Sequence, residues 1–208
     1  MVKVKICGIT NLKDARDAIA CGCGALGFVF YKKSPRYINP KKAKEIINRL
    51  PTDIIKVGVF VNSPKAAIRK IAKLCSLDML QFHGDEGVDF CSWFSSYKTI
   101  KAFRLKESLS LKDITTYRTY AYLFDTYSRK KFGGTGKTLD WKLLEGLRKI
   151  KKPIFLAGGL NEKNVREAVK IVRPEWVDLS SSIEVKPGKK DYKKMKSFIK
   201  ELRKDKKD

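Results

Sequence analysis

The chain has one histidine, His83, in 208 residues, and its five cysteines (Cys7, Cys21, Cys23, Cys75, Cys91) are an odd number. Cys21 and Cys23 stand close together, but no second pair of metal-site spacing accompanies them, so neither a zinc site nor a disulfide framework is expected. No stretch reaches the roughly eighteen apolar residues of a membrane span. The opening Val2-Lys3-Val4-Lys5 lacks the apolar segment of a secretory signal. The expectation is a cytoplasmic protein with reduced thiols and no membrane contact. Acidic residues are also scarce, 22 against 46 basic ones, for a net charge of +24. Such a charge attracts anions and raises the question of nucleic acid. The basic residues, among them Lys32-Lys33, Lys41-Lys42, Lys151-Lys152 and Lys193-Lys194, are scattered instead of forming one stripe interleaved with aromatics. Nucleic acid is therefore not expected as a partner.

What is present is alternation. Short apolar or β-branched runs recur at Val2 to Cys7, Ala25 to Phe30, Ile55 to Phe60, Met79 to Phe82, Thr99 to Phe103, Tyr120 to Asp125, Ile154 to Ala157 and Trp176 to Leu179. Helical spacing lies between them: Ala43, Ile46, Ile47, Leu50; Ile68, Ile71, Ala72, Cys75; Val165, Ala168, Val169, Val172; and Met195, Phe198, Ile199, Leu202. Two shorter helices are expected at about Val88 to Ser95 and Leu109 to Tyr117. Asn11, Asn39, Ser63 and Asn161 stand where helix caps belong, two of them followed by proline. Eight strand–helix units admit an open doubly wound sheet or a closed barrel. An open sheet usually carries a Gly-rich dinucleotide loop after its first strand, and that place holds only Cys7-Gly8-Ile9-Thr10. The fold class is therefore α/β, a (β/α)8 TIM barrel, expected to fill residues 1–208 as one domain.

Barrel chemistry sits at the carboxyl ends of the strands. There the sequence places Cys7 after strand one, Arg36 in loop two, His83 after strand four, Asp125 after strand six, Gly158-Gly159 after strand seven and Ser180-Ser181 after strand eight. Small residues before a helical turn leave backbone N–H groups free to cradle a phosphate. Cys7 and Asp125 flank those loops, so a bound sugar phosphate could be gripped from both sides. One group would give a proton while the other removes one, as an isomerase requires. Plainer readings stand beside these. Cys7 could be a small buried hydrophobe, Asp125 a loop cap, Arg36 an ordinary surface charge, and His83 a rim residue rather than a substrate contact. Strand alternation puts Lys5 on the face of Cys7, about 7 Å back, where its cation would favour the thiolate. Asp178, on the neighbouring strand eight, is its expected partner.

Several segments together carry a family resemblance. They are Lys5-Ile6-Cys7-Gly8-Ile9-Thr10, Gly27-Phe28-Val29-Phe30 with Ser34-Pro35-Arg36, Val57-Gly58-Val59-Phe60-Val61-Asn62, Gln81-Phe82-His83-Gly84, Leu123-Phe124-Asp125-Thr126, Gly133-Gly134-Thr135-Gly136-Lys137-Thr138 with Asp140-Trp141, Ala157-Gly158-Gly159-Leu160-Asn161, and Val177-Asp178-Leu179-Ser180-Ser181. In this order they resemble phosphoribosylanthranilate isomerases over nearly the whole chain. The resemblance implies a cofactor-free, metal-free Amadori rearrangement of a small sugar phosphate in tryptophan biosynthesis, by a monomer or homodimer. It implies Asp125 as general acid and Cys7 as general base, and Arg36 on the anthranilate carboxylate. The backbone at Gly158, Gly159, Ser180 and Ser181 would bind the phosphate, with Gly133 to Gly136 in a mobile loop over the site. The sequence departs from the family at Ser182, where glycine is usual, and in the basic run Arg129-Lys130-Lys131. Other phosphate-gripping barrels, such as indole glycerol phosphate synthase and thiamine phosphate synthase, would want a lysine acid or acidic metal ligands in place of Cys7 and Asp125.

Overall fold

The computed structural model describes residues 1–104, 111–125, 146 and 149–204. The expected glycine-rich segment 133–136 and the basic run 129–131 lie outside the described residues. In chain order the elements are β1 (Lys3–Cys7), α1 (Leu12–Ala20), β2 (Ala25–Val29), α2 (Pro40–Ile47), β3 (Ile55–Phe60), α3 (Lys65–Leu74), β4 (Met79–Phe82), α4 (Val88–Ser92), β5 (Lys98–Arg104), α5 (Leu111–Thr115), β6 (Ala121–Asp125), β7 (Ile154–Ala157), α6 (Val165–Val172) and β8 (Trp176–Leu179). A 3-10 turn (Ser181–Ile183), a hairpin of β9 (Glu184–Lys186) and β10 (Lys189–Lys190), and α7 (Tyr192–Arg203) follow. β1 to β8 pair in parallel and in sequence, and β8 closes back on β1.

Because side chains alternate across each strand, the barrel has two apolar layers. Ala25, Val57, Met79, Ile100, Leu123 and Phe155 point inward. Leu26, Phe28, Phe60, Leu80, Phe82 and Phe124 point outward, into the larger cluster between sheet and helices. Strands buried on both faces read as near-continuous apolar runs, which is why their boundaries were visible in the sequence. At the amino end of the barrel Trp176 stacks on Phe155, ring centres 5.2 Å apart. Toward the carboxyl end buried polar side chains enter the interior, where β1 aligns Lys5 with Asp178 of β8 and Cys7 with Gly27 of β2.

Two expected caps hold and two differ. Asn11 accepts from Asp14 N at 2.9 Å, and Asn39 from Lys41 N at 2.9 Å with Pro40 opening α2. Ser63 does not cap α3, since its hydroxyl turns back to donate to the Val61 carbonyl at 3.4 Å and Pro64 takes the cap position. Asn161 acts one turn before α6, accepting from Lys163 N, and Asn164 takes the cap position, its side chain accepting from Asn161 N. α4 also stops earlier than expected, at Ser92. Among the described residues no helix is long and apolar enough to cross a membrane.

Candidate active site

All eight residues singled out by position line one cavity of about 710 Å³ at the carboxyl end of the barrel. Cys7 and Asp125 enter it from the last positions of β1 and β6. Room for the thiol depends on Gly27 beside it: a Cβ there would lie 2.8 Å from Cys7 Sγ.

Beneath the thiol, Lys5 is fully buried and donates to both carboxylate oxygens of Asp178 at 2.9 Å. Burial alone would drive the Lys5 ammonium toward neutrality, but Asp178, with a smaller contribution from Cys7, raises its pKa instead. For Cys7 burial is the larger influence and pushes the thiol up; Lys5 and Lys190 pull it down without cancelling the rise. The ammonium expected near the thiol is therefore in place, but it moderates the cost of forming a thiolate instead of making one outright.

Opposite, His83 Nε2 stands 3.3 Å from Asp125 Oδ2, and His83 Nδ1 lies 2.9 Å from Gln81 Nε2. The loop carrying His83 is held from behind by a buried ion pair. Lys101, pointing outward from β5, donates to the Gly84 carbonyl at 2.7 Å and to Glu86 Oε2 at 2.9 Å. Glu86 in turn accepts from the N–H groups of Asn62 and Gly84.

The loops after β7 and β8 have the form of an anion cradle. Gly158 and Gly159 take φ values of 88° and 65°, a region a side chain would resist. Asn164 Nδ2 pins this loop by donating to the Gly159 carbonyl at 3.0 Å. After β8, Ser181 opens the 3-10 turn, whose first N–H groups have no partner within the turn. Ser182 lies within that turn and is not among the positive-φ residues, so the departure from glycine costs no backbone strain.

Arg36 borders the cavity, but its fork is already engaged. Nε donates to Glu184 Oε1 at 2.9 Å and Nη2 to Oε2 at 2.6 Å. Glu184 also accepts from Lys190 Nζ at 2.8 Å, and Lys190 donates further to the main-chain carbonyls of Cys7 and Ser180. Burial would raise the Glu184 pKa, yet Arg36 and Lys190 hold it below the ordinary carboxylate value. Burial lowers the Lys190 pKa, against the pull of Glu184. Sequence reasoning missed Lys190 and Gln81 as site components. Lys190 lies in a basic stretch indistinguishable from the surface lysines around it, and Gln81 only continues an apolar strand. Among the described residues no cluster of three or more His, Cys, Asp or Glu side chains is arranged to hold a metal.

Residues 4–201 match the family model of N-(5'phosphoribosyl)anthranilate (PRA) isomerase. The N-(5'-phosphoribosyl)anthranilate isomerase of Geobacter sulfurreducens is 48% identical over 199 residues, covering 96% of this chain and 97% of that protein. The crystal structure of phosphoribosyl anthranilate isomerase from Thermotoga maritima superposes with a TM-score of 0.89 at 42% identity, covering 98% of this chain and 99% of that one. A crystal structure of such an isomerase in complex with reduced 1-(o-carboxyphenylamino)-1-deoxyribulose 5-phosphate superposes at 0.86, with 40% identity and the same coverage.

Proposed function

Because this chain belongs to the N-(5'-phosphoribosyl)anthranilate isomerase family, we propose that it converts N-(5'-phosphoribosyl)anthranilate to 1-(2-carboxyphenylamino)-1-deoxyribulose 5-phosphate in tryptophan biosynthesis. The observation that carries the roles is that Cys7 and Asp125 open onto one cavity with the Gly158-Gly159 and Ser180-Ser181 loops on its wall.

In this reading the phosphate sits against the backbone of those two loops, and the anthranilate carboxylate takes the edge of Arg36 that Glu184 leaves over. Asp125 gives its proton to the furanose ring oxygen as the C1–O bond breaks, and the electron pair of the anilino nitrogen forms the C1 iminium. The Cys7 thiolate then takes the proton from C2, the C2–H electrons neutralise the iminium, and the enolamine tautomerises to the ketone. No redox carrier enters this balance. His83 supports Asp125 from the side. The whole of residues 1–208 is taken as one barrel domain, working in the cytoplasm as a monomer or homodimer on a small sugar phosphate, without nucleic acid.

The test is loss of phosphoribosylanthranilate fluorescence on adding purified protein. Cys7→Ser and Asp125→Asn should each remove most turnover, by about a hundredfold or more, with circular dichroism unchanged. Near-normal turnover in either variant removes that residue from the scheme.

A further inference from the structure

Gln81 is fully buried inside the barrel, aligned with Val59 on one side and Ile100 on the other. Its Oε1 has no hydrogen-bond partner among the described residues. The other end of the amide is engaged, with Nε2 at 2.9 Å from His83 Nδ1. Beyond the ring, His83 Nε2 stands 3.3 Å from Asp125 Oδ2. These three side chains form a line from the barrel interior to the rim.

The orphaned oxygen decides how that line is protonated. If the amide were turned over, Oε1 would face Nδ1 and both N–H donors of the NH2 group would be left without a partner, against one such donor in the present orientation. An orphaned buried N–H is the rarer and costlier case, and an under-satisfied carbonyl oxygen the milder one. The NH2 group therefore faces the ring, and Nδ1 must accept from it. A neutral imidazole carries one N–H, so the proton is on Nε2, toward Asp125. An imidazolium would set an Nδ1–H against the amide NH2, donor against donor. The cavity also holds Asp85 from the same loop, Arg104 from β5, Cys7 from β1, Asp178 from β8 and Arg36 from loop two. Among the described residues only Gln81 and Asp125 reach the ring nitrogens.

We propose that Gln81 is a positioning residue that holds His83 in its Nε2–H tautomer, so that the ring N–H is directed at Asp125 Oδ2 and steadies the carboxylate that Asp125 becomes. This rests on the reading of Asp125 as general acid. When Asp125 passes its proton to the furanose oxygen, the carboxylate left behind already faces Nε2–H at 3.3 Å, and His83 neither gains nor loses a proton. The fixed amide thus decides which ring nitrogen carries the proton facing Asp125.

Because the chain has a single histidine, its tautomer can be read without assignment. Untagged protein carrying 15N-histidine is studied at pH 7 by long-range 1H–15N correlation. The wild type should give the pattern of a protonated Nε2 and a bare Nδ1. Gln81→Met, which removes the donor, should shift the pattern toward Nδ1–H or an average of the two forms. Gln81→Glu, which offers an acceptor, should protonate Nδ1; if that variant fails to fold, Gln81→Met carries the test alone. In Gln81→Met kcat should fall about tenfold with KM changed less than about twofold. A wild-type pattern already averaged or of the Nδ1–H form, an unaltered pattern in Gln81→Met, or a shifted tautomer with unchanged kcat would each overturn the proposal. Wild-type protein that gives the expected spectra but never turns over phosphoribosylanthranilate would support the tautomer assignment and sink the isomerase reading instead.

Discussion

Lys190 Nζ and Glu184 Oε1 stand 2.8 Å apart with both side chains buried. The same ammonium holds the carbonyls that end β1 and follow β8, and the same carboxylate holds the fork of Arg36. One buried pair thus fixes the thiol's strand end, the anion cradle and the guanidinium relative to each other. Lys190→Met leaves two strand-end carbonyls without their donor and Glu184 with Arg36 as its remaining cationic partner. Breaking a buried pair by removing one partner costs about 3–5 kcal/mol, so urea denaturation should give a loss of that order. A loss under about 1 kcal/mol would mean that the pair behaves as a surface contact.

Lys5→Met should move the rising limb of the kcat/KM profile to higher pH. Burial already pushes the Cys7 thiol up, and Lys5 is the largest of the opposing influences. Removing that cation makes the thiolate scarcer at any given pH, so activity appears later on the alkaline side. Alkylation of Cys7 by iodoacetamide, followed against pH, should shift in the same direction. An unmoved profile would assign Lys5 and Asp178 a purely structural role in the barrel.

Most of this architecture was legible from residue order. All eight barrel strands fall within one residue of the expected bounds at both ends, and four of them coincide, because burial on both faces leaves no polar position to blur them. Cys7 and Asp125 were legible as strand ends. The β9–β10 hairpin was not: Glu184 to Lys190 is too short and too charged to show alternation, and contacts distant in sequence give it a place, among them Asp14 of α1 accepting from Lys189 and from the Lys190 N–H. Ser63 misled because a serine before proline looks like a cap whether or not its hydroxyl turns forward. The buried partners Lys190, Glu184 and Gln81 depend on contacts across long sequence separations, which periodicity does not encode.

Arg36→Met should raise KM much more than it lowers kcat. A charge-assisted hydrogen bond contributes about 1.5–3 kcal/mol, or about ten- to a hundredfold in affinity. Glu184→Gln should give a smaller effect in the same direction, since the fork keeps its charge but loses its anchor. Steady-state kinetics with phosphoribosylanthranilate separates the two. A variant Arg36→Met with unchanged KM would end its assignment to the substrate carboxylate.

Glu86→Gln should destabilise the fold by roughly 3–5 kcal/mol, because Lys101 would stay buried with its charge unmatched. The double variant Lys101→Met with Glu86→Gln should recover part of that loss, measured by thermal and urea unfolding. If the double variant is no better than the single one, the N–H groups of Asn62 and Gly84 that Glu86 satisfies matter more than its charge.

Gly27→Ala should strike the reaction and spare the fold. The added methyl would meet Cys7 Sγ at 2.8 Å and crowd the Cys7 main chain. Slower alkylation of Cys7 and a kcat reduced about tenfold or more are expected, with the melting temperature within a few degrees. Normal kcat would mean that the thiol can shift without consequence.

Trp176 against Phe155 has one more implication. With the inner apolar layer filling the barrel below the cavity and these two rings at its amino end, the well is blind, and a ketone formed in it must back out through the opening its precursor used. Arrival and departure compete for the same doorway, so high product concentration should slow turnover by simple occupancy.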